Sequence, residues 1–234
     1  MSIGKLITSL SLLLLVFVSV AAQVDTEQSA INRGNKLFSQ EKYQLAIKEY
    51  QRVSAANDET YAQALYNIGV CYYELWQTDE AIQFYKRAVE LRRGEYPFAY
   101  YALGVALEDM NRLVEAREAY LLAIKASHGD NAPATYRLGV LFARDGSVET
   151  AAKLFRAASA RRGEHAPASH NNLGVMLARM GQLNEAETEF MVALRETNGQ
   201  FGDAAHNLKL CRSLLATTKN RDSLSDLKLV LYVR

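Results

Sequence analysis

The sequence predicts an all-α protein made of five helical hairpins in a row, and three observations lead to this prediction. A glycine recurs every 35 residues, at Gly34, Gly69, Gly104, Gly139 and Gly174. Twelve positions after each glycine stands an alanine, at Ala46, Ala81, Ala116, Ala151 and Ala186. Four positions later stands an aromatic residue, at Tyr50, Tyr85, Tyr120, Phe155 and Phe190. Such steps favour helix faces over strands, and a fixed period of this length is typical of repeat proteins.

Each period predicts a first helix, a turn and a second helix. A large apolar residue stands three positions after each glycine, at Leu37, Tyr72, Leu107, Phe142 and Leu177. Facing glycine and alanine allow two antiparallel helices to approach closely, while the large side chains fill the space around the contact. Between the two helices we expect a turn at Asn111, Gly146 and Gly181, because these residue types tolerate the left-handed conformation.

The ends of the helices are also marked. Glycines follow the predicted second helices, where a C-terminal cap is expected, at Gly94, Gly129, Gly163 and Gly199. Pro97, Pro133 and Pro167 fall near the start of the next first helix, where a missing N–H costs little.

The first 22 residues resemble a secretory signal peptide. Lys5 is the only charged residue before position 23, the apolar run Leu6–Val20 follows, and Ala21 and Ala22 precede a cut before Gln23. The run is shorter than the ~20 apolar residues of a typical membrane-spanning helix. We therefore expect an exported protein, periplasmic or extracellular, that contacts the membrane only if this segment is kept as an anchor.

Charge argues against nucleic acid as a partner. The chain has 27 basic and 26 acidic residues, a formal net charge of +1, and loss of the signal segment with Lys5 leaves 26 of each. Because neutralised phosphates dominate nucleic-acid affinity, a neutral chain without a basic run is a poor candidate.

One stretch carries a family resemblance. The motif Leu65-x-x-Ile68-Gly69-x-x-Tyr72, followed by Ala81-x-x-x-Tyr85, resembles the signature of the tetratricopeptide repeat (TPR) family. The resemblance implies a right-handed α-solenoid of five TPR hairpins over about residues 27–201, namely 27–61, 62–96, 97–131, 132–166 and 167–201. Three features depart from the family pattern. The period is 35 rather than the usual 34, the closing proline has moved to the head of the next repeat, and the first repeat is irregular at Ala30 and Arg33.

The residues after the repeats predict a cap and a tail. Ala205, Leu208, Cys211 and Leu215 keep helical spacing, which indicates a capping helix over residues 202–218. In the tail, residues 219–234, a polar break precedes the segment 227–233, whose leucines and valine alternate with other residues. Period two predicts an extended segment that docks on a partner or on another copy, and a frayed terminus is the alternative.

No motif indicates an enzyme, a cofactor, a metal or a small-molecule substrate. His165 and His170 straddle a predicted loop, which is not a convincing metal-ligand spacing. Cys71 and Cys211 occupy repeats too far apart for a disulfide, so we expect two buried free thiols.

The resemblance implies a concave groove, lined by the first helices, that binds a partner peptide or helix. Counting from the glycines gives the candidate groove residues Asn32, Asn35, Tyr66, Asn67, Tyr73, Phe98, Tyr101, Tyr136, Arg137, Arg144, Asn171, Asn172 and Arg179. Tyrosine offers rigid amphipathic area and asparagine amides can pair with a ligand's backbone, although tyrosine here also serves packing. Acidic Glu74, Glu108 and Asp109 precede the arginines along the chain. This difference in charge can orient a peptide, and simple solvation is the alternative.

These observations predict a non-enzymatic interaction scaffold of the periplasm or cell envelope, in the assembly of pilus, secretion or cell-wall machinery. The alternative is a self-associating structural protein that uses the ends of its array or its C-terminal segment. That alternative predicts that a chain lacking residues 219–234 forms a smaller oligomer in solution than the full-length chain.

Overall fold

A computed structural model describes residues 27–216 and 221–231, so the predicted signal peptide 1–22 lies outside the described residues. Within these ranges the chain is helical and contains no β-strand, which confirms the predicted all-α class. The α-helices are α1 (27–38), α2 (Tyr43–Tyr50), α3 (Asp58–Glu74), α4 (Thr78–Leu91), α5 (Pro97–Asp109), α6 (Leu113–Ala126), α7 (Ala132–Arg144), α8 (Val148–Ser159), α9 (Ala166–Arg179), α10 (Leu183–Glu196) and α11 (Gly202–Ala216). A 3-10 helix, Arg221–Asp226, follows α11.

The chain forms two compact units, of which unit 1 ends at Met110 and unit 2 begins at Asn111. In unit 1, helices α2 to α5 each pack against the next helix along the chain. In unit 2, helices α6 to α11 do the same, and α11 also contacts α9. Packing between chain neighbours is expected for helical hairpins joined by short turns.

The periodic glycines make room for aromatic rings. A Cβ atom on Gly174 would lie 2.6 Å from Cε1 of Phe190, and one on Gly69 would lie 2.6 Å from Cε1 of Tyr85. At Gly34, Gly69, Gly139 and Gly174 the nearest neighbour is therefore the aromatic ring sixteen positions later, rather than the alanine that the sequence suggested. Because Tyr85 and Phe190 are almost fully buried, neither ring has free space to retreat into.

The predicted turns are confirmed, and so are three of the four predicted glycine caps, whereas Gly163 has a φ of 149° and its carbonyl accepts from the N–H of Ala166 at the start of α9. Asn111, Gly146 and Gly181 have φ angles of 56°, 79° and 82°, and Glu41 and Trp76 take the same left-handed conformation at the same phase. At the other three caps the second helix ends with a hydrogen bond to the carbonyl five residues earlier, since the N–H of Gly94 donates to Val89 O (3.0 Å), that of Gly129 to Ile124 O (2.8 Å) and that of Gly199 to Leu194 O (2.7 Å). The three prolines lie in the first turns of α5, α7 and α9.

Each unit has its own apolar core. In unit 1, Tyr50, Ile68 and Cys71 are buried together. In unit 2, the core contains Tyr136, Phe155, Phe190 and Cys211, and also Leu227 from the tail. Both cysteines are buried free thiols, and burial raises the pKa of Cys71 to about 12 and that of Cys211 in the same direction. Leu227, with Leu224, Leu229 and Val230 packed against the same core, therefore belongs to the folded part of unit 2.

Candidate functional site

The tail segment, residues 227–231, lies against helices of its own unit. It contacts a surface that we call the unit 2 groove, formed by Tyr136 on α7, Asn171 and Asn172 on α9, and Asn207 on α11. All four of these side chains are 0% exposed. The sequence predicted a segment that docks on a partner or another copy, or a frayed end, whereas the described residues 227–231 dock on their own chain.

Two asparagines hold the main chain of the tail segment by two hydrogen bonds each. The N–H of Lys228 donates to Asn207 Oδ1 (2.8 Å), and Asn207 Nδ2 donates back to Lys228 O (2.8 Å). Two residues further along, the N–H of Val230 donates to Asn172 Oδ1 (2.8 Å), and Asn172 Nδ2 donates back to Val230 O (2.7 Å). A primary amide carries the same donor and acceptor as a peptide group, so each pair resembles one rung of a β-ladder.

Asn171 and Tyr136 complete the network around these two pairs. Asn171 Nδ2 donates to Lys228 O (3.1 Å), while its Oδ1 accepts from Asn207 Nδ2 (2.9 Å). The hydroxyl of Tyr136 donates to Val230 O and accepts from Asn172 Nδ2 (3.2 Å). Burial raises the pKa of Tyr136, against the opposing effect of the hydrogen bond from Asn172, so the hydroxyl stays protonated as a donor.

The two asparagines occupy one position of the repeat. Asn172 stands two residues before Gly174, and Asn207 follows Asn172 by 35 residues. Helix α9 of the last repeat and the capping helix α11 therefore bind alternate residues of the tail segment, which is the spacing at which an extended chain turns its main-chain groups the same way. Asn32 and Asn67 stand at the same position in unit 1.

Unit 1 brings together three of the predicted groove residues. Asn35, Tyr66 and Asn67 line a cavity of about 140 Å³ with Phe38, Tyr50 and Val70. Asn35 Oδ1 accepts from the hydroxyl of Tyr50 (2.8 Å) and from Asn67 Nδ2 (3.3 Å). Burial raises the pKa of Tyr66, which lies with its ring centroid 5.9 Å from that of Tyr85.

The other predicted groove residues are more scattered. Asn32, Arg144 and Arg179 are exposed, Phe98 is 67% exposed, and Tyr73, Tyr101 and Arg137 are half-buried. The hydroxyl of Tyr73 bonds Asp109, and Glu108 is buried. In unit 2 the structure therefore brings Tyr136, Asn171 and Asn172 together around the chain's own tail segment.

Sequence reasoning missed two residues. Asn207 is hard to predict from sequence because Lys209 replaces the periodic glycine, and only its distance of 35 residues from Asn172 indicates its role. Trp76 is 92% exposed and borders a cavity of about 550 Å³ in unit 1, together with Glu74 and Asp109. The repeat pattern does not single out Trp76 as a candidate site residue, because its position belongs to the turn between two helices.

The described residues hold no cluster of His, Cys, Asp and Glu side chains suited to a metal ion. His170 instead pairs with Glu189, with 2.6 Å between Nδ1 and Oε2. In the same part of the chain, no helix is long and apolar enough to span a membrane.

Comparison with known proteins identifies the repeats. Family models described as tetratricopeptide repeat match residues 25–94, 101–165 and 136–201. The chain belongs to the tetratricopeptide-repeat family. Its fold class is accordingly an α-solenoid of TPR hairpins, the architecture of protein-interaction scaffolds. No curated protein matches the sequence significantly.

Solved TPR structures share the fold. MamA from Desulfovibrio magneticus RS-1 is 19% identical with a TM-score of 0.60, covering 75% of this chain and 97% of that one. YrrB, described as a TPR protein with an unusual peptide-binding site, is 21% identical with a TM-score of 0.56, covering 80% and 91%. TTC0263, a TPR protein from Thermus thermophilus, is 23% identical with a TM-score of 0.53, covering 80% and 100%. At these identities the likeness concerns the fold alone.

Proposed function

We propose that this TPR protein is a non-enzymatic scaffold that holds an extended segment of a partner protein in the unit 2 groove. The observation that carries the proposal is the pair of two-point contacts from Asn172 and Asn207 to the main chain of residues 230 and 228. The groove thus has the donors and acceptors that an extended peptide requires, at the spacing of alternate residues.

Main-chain contacts make the groove tolerant of sequence, whereas apolar contacts add selectivity. Leu227 is 5% exposed and belongs to the unit 2 core, and Leu229 and Val230 pack against the same core. A partner segment with large apolar residues at these places gains burial as well as hydrogen bonds. The peptide-binding site named for YrrB supports this use of a TPR fold.

The proposed location is the periplasm or cell envelope, where the scaffold serves assembly of a pilus, secretion or cell-wall complex. This part of the proposal rests on the signal-like pattern of residues 1–22. We expect the protein isolated from its own cells to begin at Gln23 and to fractionate outside the cytoplasm. N-terminal sequencing that returns Met1 from a cytoplasmic fraction would contradict the location without affecting the groove.

Binding is tested with a labelled peptide of residues 224–231 as the probe. The full-length chain carrying Lys228→Pro and Val230→Pro, which we call the open variant, lacks both N–H groups that its own tail donates to the asparagines. We expect the open variant to bind the peptide, as measured by fluorescence anisotropy.

Adding Asn172→Ala to the open variant should weaken this binding about 5- to 150-fold. The substitution removes two hydrogen bonds, worth together about 1–3 kcal/mol. Asn184→Ala is the matched control, because Asn184 is exposed on α10 and its hydrogen bond with Thr188 is made by its main-chain carbonyl. Equal affinity of the Asn172→Ala and Asn184→Ala chains, or no binding to a folded open variant, refutes the proposal.

A further inference from the structure

The tail segment occupies the hydrogen-bonding groups of the unit 2 groove, so another chain that binds there has to compete with it. The side chains that recognise the main chain, Asn171, Asn172 and Asn207, are all 0% exposed beneath it. Each of them donates to, or accepts from, residue 228 or 230. A partner segment cannot use these amides while the tail segment does.

We propose that the tail segment is a built-in competitive ligand that keeps the unit 2 groove closed until a partner segment displaces it. This inference rests on the proposed function, since it concerns the regulation of the same groove. It assigns residues 227–231 an inhibitory role, in which the chain's own sequence imitates the partner.

The short connection to α11 makes this competition effective. Residues 217–226, ten in all, separate the end of α11 at Ala216 from Leu227. A tether of this length gives an effective concentration of millimolar order. If the same segment as a free peptide binds with a Kd of about 100 μM, the tail occupies the groove about ten times more often than not. A partner's apparent affinity then falls about tenfold.

The contacts of the tail segment also define the partner that can displace it. The competing segment must offer N–H groups at two alternate positions, so proline at either position excludes it. It needs a large apolar residue in the place of Leu227, which is buried in the core. The Lys228 ammonium lies 3.8 Å from the Asp203 carboxylate, which favours a basic residue at the next place. The partner class is therefore an extended apolar–basic–apolar–apolar segment.

The test compares three full-length chains with the labelled 224–231 peptide as the probe. We expect the wild-type chain to bind it about tenfold or more weakly than the open variant does. Leu231→Pro is the matched control, because it adds a proline to the same segment at a residue that is 39% exposed, and it leaves the N–H groups of Lys228 and Val230 in place. This control should bind the peptide as weakly as the wild-type chain.

A single, milder substitution also weakens the binding of the tail segment, and it keeps the test valid if the double-proline chain misfolds. Leu227→Ala removes the buried anchor of the tail segment and keeps every main-chain hydrogen bond, so it should raise the peptide affinity of the full-length protein by about two- to tenfold. A peptide with proline in place of Val230 should bind none of the chains.

The outcomes separate this inference from the proposed function. If the open and Leu227→Ala chains bind the peptide and the wild-type chain binds it equally well, the tail does not inhibit, and only the inference fails. If no folded chain binds the peptide, the proposed function fails with it. If Leu231→Pro opens the groove as much as the double variant does, closure does not depend on the two asparagine contacts, and the inference is again wrong.

Discussion

A primary amide repeats both hydrogen-bonding groups of a peptide unit on one rigid plane, and the unit 2 groove uses this property twice. Asn172 and Asn207 each exchange two hydrogen bonds with one residue of the tail segment. An unsatisfied buried amide costs about 1–3 kcal/mol. The asparagine side chains of this groove are therefore more stable when a peptide chain or water forms hydrogen bonds with them. This preference explains why three polar side chains can be fully buried within unit 2.

Gly174 shows how one residue supports the position of these amides. It lies on α9 two residues after Asn172, and an added Cβ would lie 2.6 Å from the ring of Phe190, which is 0% exposed. Gly174→Ala should therefore lower the free energy of unfolding by about 1–3 kcal/mol, because the ring has no room to move. Urea unfolding followed by circular dichroism measures this loss.

Gly202→Ala is the control for this substitution, since no atom lies within 4 Å of the added Cβ at the start of α11. We expect it to change stability by less than about 1 kcal/mol, towards a more stable helix. Equal unfolding midpoints for the Gly174→Ala and wild-type chains would show that the ring is not the reason for the glycine.

At the scale of the helices, most of the architecture could be predicted from the sequence. Residue type predicts three of the turns, because Asn and Gly tolerate the left-handed conformation that Asn111, Gly146 and Gly181 adopt. The same turn at Glu41 and Trp76 could be found only by counting 35 residues, since neither residue type favours a positive φ. Periodicity thus predicted more than residue type did.

The groove was only half predictable for a different reason. The asparagines could be expected to pair with a backbone, and their phase on α9 could be read from Gly174. The identity of that backbone could not, because the contact joins Val230 to a residue 58 positions earlier and depends on where α9 and α11 lie in space. Alternation in residues 227–233 indicated an extended segment, and it carried no information about what the segment contacts.

At the scale of the molecule, the two units carry related surfaces in different states. Unit 2 has its groove filled by the tail segment, whereas unit 1 has Asn35, Tyr66 and Asn67 around a cavity of about 140 Å³. In the described part of unit 1, Asn67 Nδ2 donates to Asn35 Oδ1. A segment that binds in unit 1 would have to exchange this contact for its own.

Amide hydrogen exchange of the tail segment in the full-length wild-type protein shows whether the asparagines hold its main chain. We expect alternation, with the amides of Lys228 and Val230 protected at least tenfold more than those of Leu229 and Leu231, whose N–H groups find no acceptor among the described residues. Asn172→Ala should remove the protection of Val230 first. Four amides that all exchange at the rate of an unstructured chain, or that are all equally protected, would contradict this expectation.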